Sequence, residues 1–241
     1  KFKIENGFVI GKVKNKLRGN KIKLPFPSVG ATENILMASV LADGETIIDQ
    51  AAREPEIQDL GDCLLSMGAK IEGLGTNKIY IQGVSNLKRA KHTIISDRIV
   101  AGTYIILAIM LKSKFEVKNF NPKHLLSLFN ILKKMGCDLE ILSNSVKIFP
   151  KNNLKSHKVI TAPYPGFPTD LQAQLMALMS TVDGNSEIKE TVFENRFMHV
   201  PELNRLGAKI IINKDKAFIE GAQKFKGAQV MASDLRASVS L

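Results

Sequence analysis

Long apolar runs are missing from this chain. The longest, around Ile105–Leu111, falls far short of the roughly 20 residues a helix needs to span a bilayer. No charged-then-apolar leader opens the sequence. The expected location is the cytoplasm, with no membrane partner. Cysteine is nearly absent too: Cys63 and Cys137 each sit in an apolar helical pattern near a glycine. That suits small core residues, so neither a disulfide framework nor a metal is expected. Arginine is scarce, at seven of the 34 basic residues. The formal charge of +11 is carried by lysines scattered over loops and strand edges, among them Lys12, Lys14, Lys16, Lys151, Lys155 and Lys158. With no basic helix and no interleaved aromatics for base stacking, a nucleic-acid partner is not expected. Such a field would raise encounter rates with multiply anionic substrates.

What is present is a repeat. Leu64-Leu65-Ser66-Met67-Gly68-Ala69-Lys70-Ile71, Leu132-Lys133-Lys134-Met135-Gly136-Cys137-Asp138-Leu139 and Leu203-Asn204-Arg205-Leu206-Gly207-Ala208-Lys209-Ile210 match one another, with their glycines 68 and 71 residues apart. In each, an apolar helical stripe stops at the glycine and two strands follow. The predicted strand pairs are Lys70–Glu72 with Lys78–Gln82, Asp138–Leu142 with Ser145–Phe149, and Lys209–Asn213 with Ala217–Glu220. Upstream, Ser28, Asp97 and Asp170 open apolar helices at Ile35–Leu41, Gly102–Leu111 and Leu171–Met179, and Asp234 begins a further copy. Strands at Thr46–Asp49, Phe115–Asn119 and Ser186–Lys189 close them. The unit reads as βαβαββ over about 70 residues, three times. A unit with helices on one face of a mixed sheet cannot bury that face alone, so several must pack around a common core. A change of character near Lys91–Ser96 predicts two bodies, 1–95 and 96–241.

Three segments could carry chemistry. Phe26-Pro27-Ser28-Val29-Gly30-Ala31-Thr32-Glu33 brings a turn poor in side chains to a helix start, where amide N–H groups and the dipole favour anions. Plain capping by Ser28 is the alternative. Ala162-Pro163-Tyr164-Pro165-Gly166-Phe167-Pro168-Thr169-Asp170 is a proline-stiffened loop that delivers Asp170 rigidly to a helix start, as a catalytic group requires. Helix capping by Asp170 is the competing reading. Thr191-Val192-Phe193-Glu194-Asn195-Arg196-Phe197-Met198-His199 crowds charged, aromatic and imidazole groups after a strand. There, a local Glu194–Arg196 ion pair with Phe193 and Phe197 in the core competes with a binding role. His199 reads as a core or capping residue.

Read in order, these segments with Ala51-Ala52-Arg53-Glu54-Pro55-Glu56-Ile57, Asp97-Arg98, Phe167-Pro168-Thr169-Asp170-Leu171-Gln172-Ala173-Gln174 and Asp234-Leu235-Arg236-Ala237-Ser238 resemble the UDP-N-acetylglucosamine 1-carboxyvinyltransferase family. The resemblance implies an α/β fold of the inside-out α/β barrel kind, with two pseudo-threefold domains of βαβαββ units. It also implies transfer of the enolpyruvyl group of phosphoenolpyruvate to the 3-hydroxyl of UDP-N-acetylglucosamine, through a tetrahedral intermediate and without metal or organic cofactor. Ser28, Val29 and Gly30 would then face the nucleotide and diphosphate. Asp170 would contact the reacting hydroxyl as base, with Thr169 beside it. Val192 and Phe193 would line the sugar-nucleotide site, Arg236 would pair with phosphoenolpyruvate, and Glu54, Asp97 and Arg98 would support the cleft. A monomer is expected.

Against the family pattern, Phe26 stands where some members have Lys. The family's Lys-Asn pair, its mobile loop with a catalytic Cys or Asp, and its nearby arginines are expected upstream of Lys1, and a further Arg beyond Leu241. On that expectation the isolated 241 residues are inactive. The competing readings are a non-catalytic remnant, and the shikimate-pathway enolpyruvyl transferase of the same fold. The Phe193–His199 run and Ser28–Asn34 argue against the latter.

Overall fold

The computed structural model describes residues 2–13, 15–232 and 237–241. Arg236 and Asp234, which the sequence singles out, lie outside the described residues, as do Lys1 and Lys14. The chain divides into two compact units, Lys1–Ile95 and Ser96–Leu241.

The first unit opens with a hairpin of β1 (Phe2–Glu5) and β2 (Phe8–Gly11). Its two-residue turn has Asn6 at φ 50° and Gly7 at φ 80°, the left-handed pair that a tight hairpin of the right twist requires. Then follow β3 (Lys21–Lys23), α1 (Val29–Ser39), β4 (Glu45–Asp49), α2 (Pro55–Ser66), β5 (Lys70–Glu72) and β6 (Lys78–Gln82). The sheet order is β3-β4-β6-β5, parallel between β3 and β4 and antiparallel elsewhere. Alternation along the strands turns Ile48, Ile71, Ile79 and Ile81 inward, where Leu36 of α1 and Ile57 and Leu64 of α2 cover them. Each such fully buried side chain contributes roughly 1.5–3 kcal/mol.

The second unit holds two further copies. The first comprises α3 (Arg98–Met110), β7 (Phe115–Lys118), a 3-10 turn at Pro122–Leu125 running into α4 (Leu126–Lys134), β8 (Asp138–Ile141) and β9 (Ser145–Phe149). The other comprises β10 (Lys158–Ile160), a 3-10 turn at Thr169–Leu171 running into α5 (Gln172–Ser180), β11 (Asn185–Lys189), α6 (Val200–Arg205), β12 (Lys209–Asn213) and β13 (Lys216–Glu220). The sheet β10-β11-β13-β12 repeats the order and senses of the first unit's sheet. Every residue of α5 is buried, so this helix forms the centre of the larger core with Ile105, Leu128, Phe129 and Leu132. Among the described residues no helix is long and apolar enough to cross a membrane.

The helix stops are identical in kind. Gly68, Gly136 and Gly207 have φ of 95°, 92° and 107°. The amides of Ala69, Cys137 and Ala208 close back on Leu64, Leu132 and Leu203 at 3.0, 2.9 and 3.0 Å, a Schellman ending in all three copies. One expectation fails: the middle copy has three strands, ordered β7-β9-β8, and lacks the predicted first strand. The segment before α3 buries no face, Ile94 being 79% exposed, so no strand packing holds it. It is tied down by Lys88 N–H to the Met67 carbonyl at 2.8 Å and by His92 Nε2 to Asp59 Oδ1 at 2.9 Å.

Candidate active site

β10 and β11 run parallel, with Ile160 opposite Lys189, and the site forms where both strands end. Beyond β10 the chain turns tightly. Ala162 N–H donates to the Phe167 carbonyl at 3.0 Å and Gly166 N–H to the Pro163 carbonyl at 2.9 Å, while buried Phe167 anchors the turn. The Tyr164–Pro165 bond is cis. Pro168, which has no amide hydrogen to give, leads directly into the 3-10 turn that carries Thr169 and Asp170.

Asp170 is the N-cap residue of neither the 3-10 turn nor α5, since those positions fall on Pro168 and Leu171. Neither the 3-10 turn nor α5 has a side-chain cap at its N-cap residue. The Asp170 carboxylate instead accepts from Arg196 Nη2 at 2.6 Å. The alternative of a local Glu194–Arg196 pair is not what forms: the guanidinium reaches across to the proline-rich arm. Arg196 also lies over the Phe193 ring, 5.2 Å from its centroid. Phe197 is core, as expected, but Phe193 is 55% exposed and is not. Asn195 at φ 57° bends the loop so that Arg196 turns back.

This loop borders a cavity of about 700 Å³ lined by Glu190, Val192, Phe193, Arg196 and, from the β12–β13 turn, Lys214 and Asp215. Asp170 is not part of that lining and meets it through Arg196. The floor is organised by Glu190, which no local pattern marks because its hydroxyl partners lie 29 and 21 residues away in the chain. Its buried carboxylate accepts from the hydroxyls of Thr161 and Thr169 and from the amides of Val192 and Phe193. The partner of Arg196, 26 residues away, likewise carries no signal in sequence spacing.

Asp97 caps α3, its Oδ1 accepting from the amides of Ile99 at 2.8 Å and Val100 at 3.0 Å. Arg98 is buried and stacks over the Tyr164 ring of the proline-rich loop at 5.7 Å. His199 is buried before α6. Burial pushes the Cys137 thiol up to about 12, against a smaller opposite pull from Lys151.

In the first unit, Ser28 caps α1 through its Oγ, which accepts from Ala31 N–H at 3.3 Å. A side chain at Gly30 would meet nothing within 4 Å, so the first turn of α1 is open to an approaching group. Buried Thr32 ties this turn to the next motif, donating to the Ser28 carbonyl at 2.7 Å and accepting from Ala52 N–H at 3.0 Å. Glu54 is buried at the start of α2 and accepts from Arg53 N–H at 3.0 Å. Burial and, next, the charges of Glu56 and Glu54 hold the Glu33 carboxyl above its ordinary range. No cluster of three or more potential metal ligands occurs among the described residues. A second cavity, about 530 Å³ against β5 and β6, contains none of the candidate residues.

The repeated βαβαββ sheets match solved enolpyruvyl transferases in fold. NikO from Streptomyces tendae superposes with a TM-score of 0.89 at 23% identity, over 100% of this chain and 60% of that one. EPSP synthase from Acinetobacter baumannii gives 0.68 at 22%, over 93% and 55%. The family model for EPSP synthase (3-phosphoshikimate 1-carboxyvinyltransferase) matches residues 1–241, and the chain belongs to that family. Within it, the chain is 50% identical over 238 residues to the UDP-N-acetylglucosamine 1-carboxyvinyltransferase of Granulibacter bethesdensis, covering 99% of this chain and 57% of that protein. It is 48% identical over 242 residues to the enzyme of the same name from Paramagnetospirillum magneticum, covering 100% and 56%. The chain thus spans a little over half the length of these curated relatives.

Proposed function

We propose that the protein carrying these 241 residues transfers the enolpyruvyl group of phosphoenolpyruvate to the 3-hydroxyl of UDP-N-acetylglucosamine, releasing phosphate, at the entry to peptidoglycan synthesis in the cytoplasm. The observation that carries this reading is the 50% identity, running along almost the whole chain, to relatives of that name. The local geometry is in keeping with it: a rigid arm presents a carboxylate beside an aromatic-lined cavity of about 700 Å³ that holds both basic and acidic side chains, inside the size range of small-molecule sites.

In the proposed reaction Asp170 takes the proton of the sugar hydroxyl while the hydroxyl oxygen bonds to C2 of phosphoenolpyruvate and C3 gains a proton from a general acid, the part the expected upstream Cys or Asp loop would play. The tetrahedral adduct then collapses: C3 returns a proton to the group that gave it, the C3–H electron pair forms the C2–C3 double bond, the bond from C2 to the phosphate oxygen breaks, and phosphate leaves. Arg196 must hand Asp170 over when the hydroxyl arrives, and Phe193 offers its ring as the surface that keeps the guanidinium in place. Val192 and Phe193 line the sugar-nucleotide site, with Thr169 alongside Asp170. The open first turn of α1, at Ser28, Val29 and Gly30, suits the diphosphate. Arg236 is assigned to phosphoenolpyruvate, and Glu54, Asp97 and Arg98 support the site. Neither a metal nor an organic cofactor enters the scheme, and the protein acts as a monomer.

The name of the matching family model favours one rival acceptor, shikimate 3-phosphate. Phosphate release from phosphoenolpyruvate, measured on the full-length protein that contains these residues with each acceptor in turn, separates the two. The reading expects release with UDP-N-acetylglucosamine and none with shikimate 3-phosphate, and the reverse outcome overturns it.

A further inference from the structure

We infer that Glu190 is a positioning residue, coupling the wall of the large cavity to the arm that bears Asp170; this rests on the transferase reading above. Glu190 is 5% exposed. It occupies the first position after β11, beside Thr161, the first after β10. Its Oε1 accepts from Thr161 Oγ1 at 2.8 Å, Val192 N–H at 2.8 Å and Phe193 N–H at 3.1 Å. Its Oε2 accepts from Thr169 Oγ1 at 2.9 Å.

The division of labour between the two oxygens is the point. One holds the backbone that lines the cavity, and the other holds the residue next to Asp170. Thr161 is locked in turn, because its hydroxyl donates to Glu190 while accepting from Thr191 N–H at 2.9 Å. An ionised carboxylate accepts only, so it satisfies four converging donors, whereas an amide would aim hydrogens at one of them. Asp would fall one methylene short. No ion pair to Glu190 occurs among the described residues, so neutral, fixed donors hold the buried charge and it holds them. Loss of the carboxylate strands two amides and two hydroxyls together, which frees the wall and the arm to move separately.

Three variants test this: Glu190→Ala, Glu190→Gln and Thr169→Val. The readouts are thermal unfolding, amide hydrogen exchange at Val192 and Phe193, the Kd for UDP-N-acetylglucosamine and steady-state kcat. E190A should speed exchange at both amides and weaken sugar-nucleotide binding, each by roughly tenfold. E190Q, keeping one oxygen for the amides, should restore most of both. T169V cuts only the Oε2 link: exchange and Kd should stay within about threefold while kcat falls about 10- to 100-fold, as small misplacements of reacting groups do. Should E190A not fold, T169V still decides through kcat. Wild-type exchange in folded E190A, or wild-type kcat in folded T169V, overturns the inference. A wild-type protein that takes up no UDP-N-acetylglucosamine overturns the functional reading instead. In that case the exchange rates alone show whether the carboxylate holds the loop.

Discussion

Arg196 Nη2 stands 2.6 Å from Asp170 Oδ1, with both side chains partly buried at 17% and 32% exposure. The pair joins the proline-stiffened arm to the loop after β11. In the proposed chemistry this contact is the resting arrangement of the base, and substituting either partner should have a distinct signature.

Asp170→Asn keeps the shape and an oxygen for Arg196 but removes the proton acceptor. The expected result is a kcat lower by about 10²–10⁴-fold, the usual worth of a general base, with a Kd for UDP-N-acetylglucosamine within about threefold of wild type. Phosphate release and calorimetric titration measure the two quantities. A variant with undiminished kcat removes Asp170 from the reaction.

Arg196→Lys retains the charge and loses the planar group that both bonds Asp170 and stacks on Phe193. We expect KM for the sugar nucleotide to rise about tenfold, because a lysine cannot reproduce the forked, stacked geometry. Unfolding midpoints should move little, since a partly exposed ion pair contributes about 0–1 kcal/mol. Steady-state kinetics alongside urea titration distinguish a binding defect from a folding one.

Asp97→Ala removes two hydrogen bonds that backbone amides at the start of α3 donate to the Asp97 carboxylate. The loss of such a cap costs about 1 kcal/mol, which Asp97→Asn or Asp97→Ser should largely recover. Equilibrium urea denaturation followed by circular dichroism is the measurement. Equal stabilities for the Ala and Asn variants would show that the cap carries no weight.

Gly221 lies against backbone, and a Cβ there would sit 1.7 Å from the Val182 carbonyl oxygen. Gly83, in the equivalent place after β6, has the same relation to Ala42 at 1.7 Å. Gly221→Ala and Gly83→Ala must push strand and helix end apart, at an expected cost of roughly 1–3 kcal/mol each. Thermal melts of the two variants should show comparable losses, because both copies use the same closure.

Cys137, with its thiol raised to about 12, should resist alkylation in the native protein. The thiolate is the nucleophile and its fraction grows tenfold per pH unit below the pKa, so at pH 8 only about one molecule in 10⁴ is reactive. Iodoacetamide labelling followed by peptide mass analysis should find Cys137 unmodified when folded and modified in denaturant. Rapid native labelling would contradict the burial assigned to it.

Much of the architecture was legible because its signals are local. The strand pairs β5–β6, β8–β9 and β12–β13 fall within a residue or so of their expected bounds, and the three helix stops sit on the glycines that announced them. Ser28 and Asp97 cap the helices they were expected to open. In each case the residue's own backbone preference, or a bond spanning fewer than six positions, decides the outcome. Sequence therefore settles the repeat and the fold class it implies.

The contacts that make the candidate site belong to another order. Arg196 finds Asp170 across 26 residues, and Glu190 finds Thr161 across 29 and Thr169 across 21. The missing first strand of the middle copy is of the same kind, since a strand exists only where a neighbouring edge and a covered face receive it. By itself the amino-acid order determined which segments become helices and strands and which loops are stiff. Only the packing of β10 beside β11 decided which charges meet, because a side chain's partner is set by distance in space, and chain spacing leaves that distance undetermined until the sheet has formed.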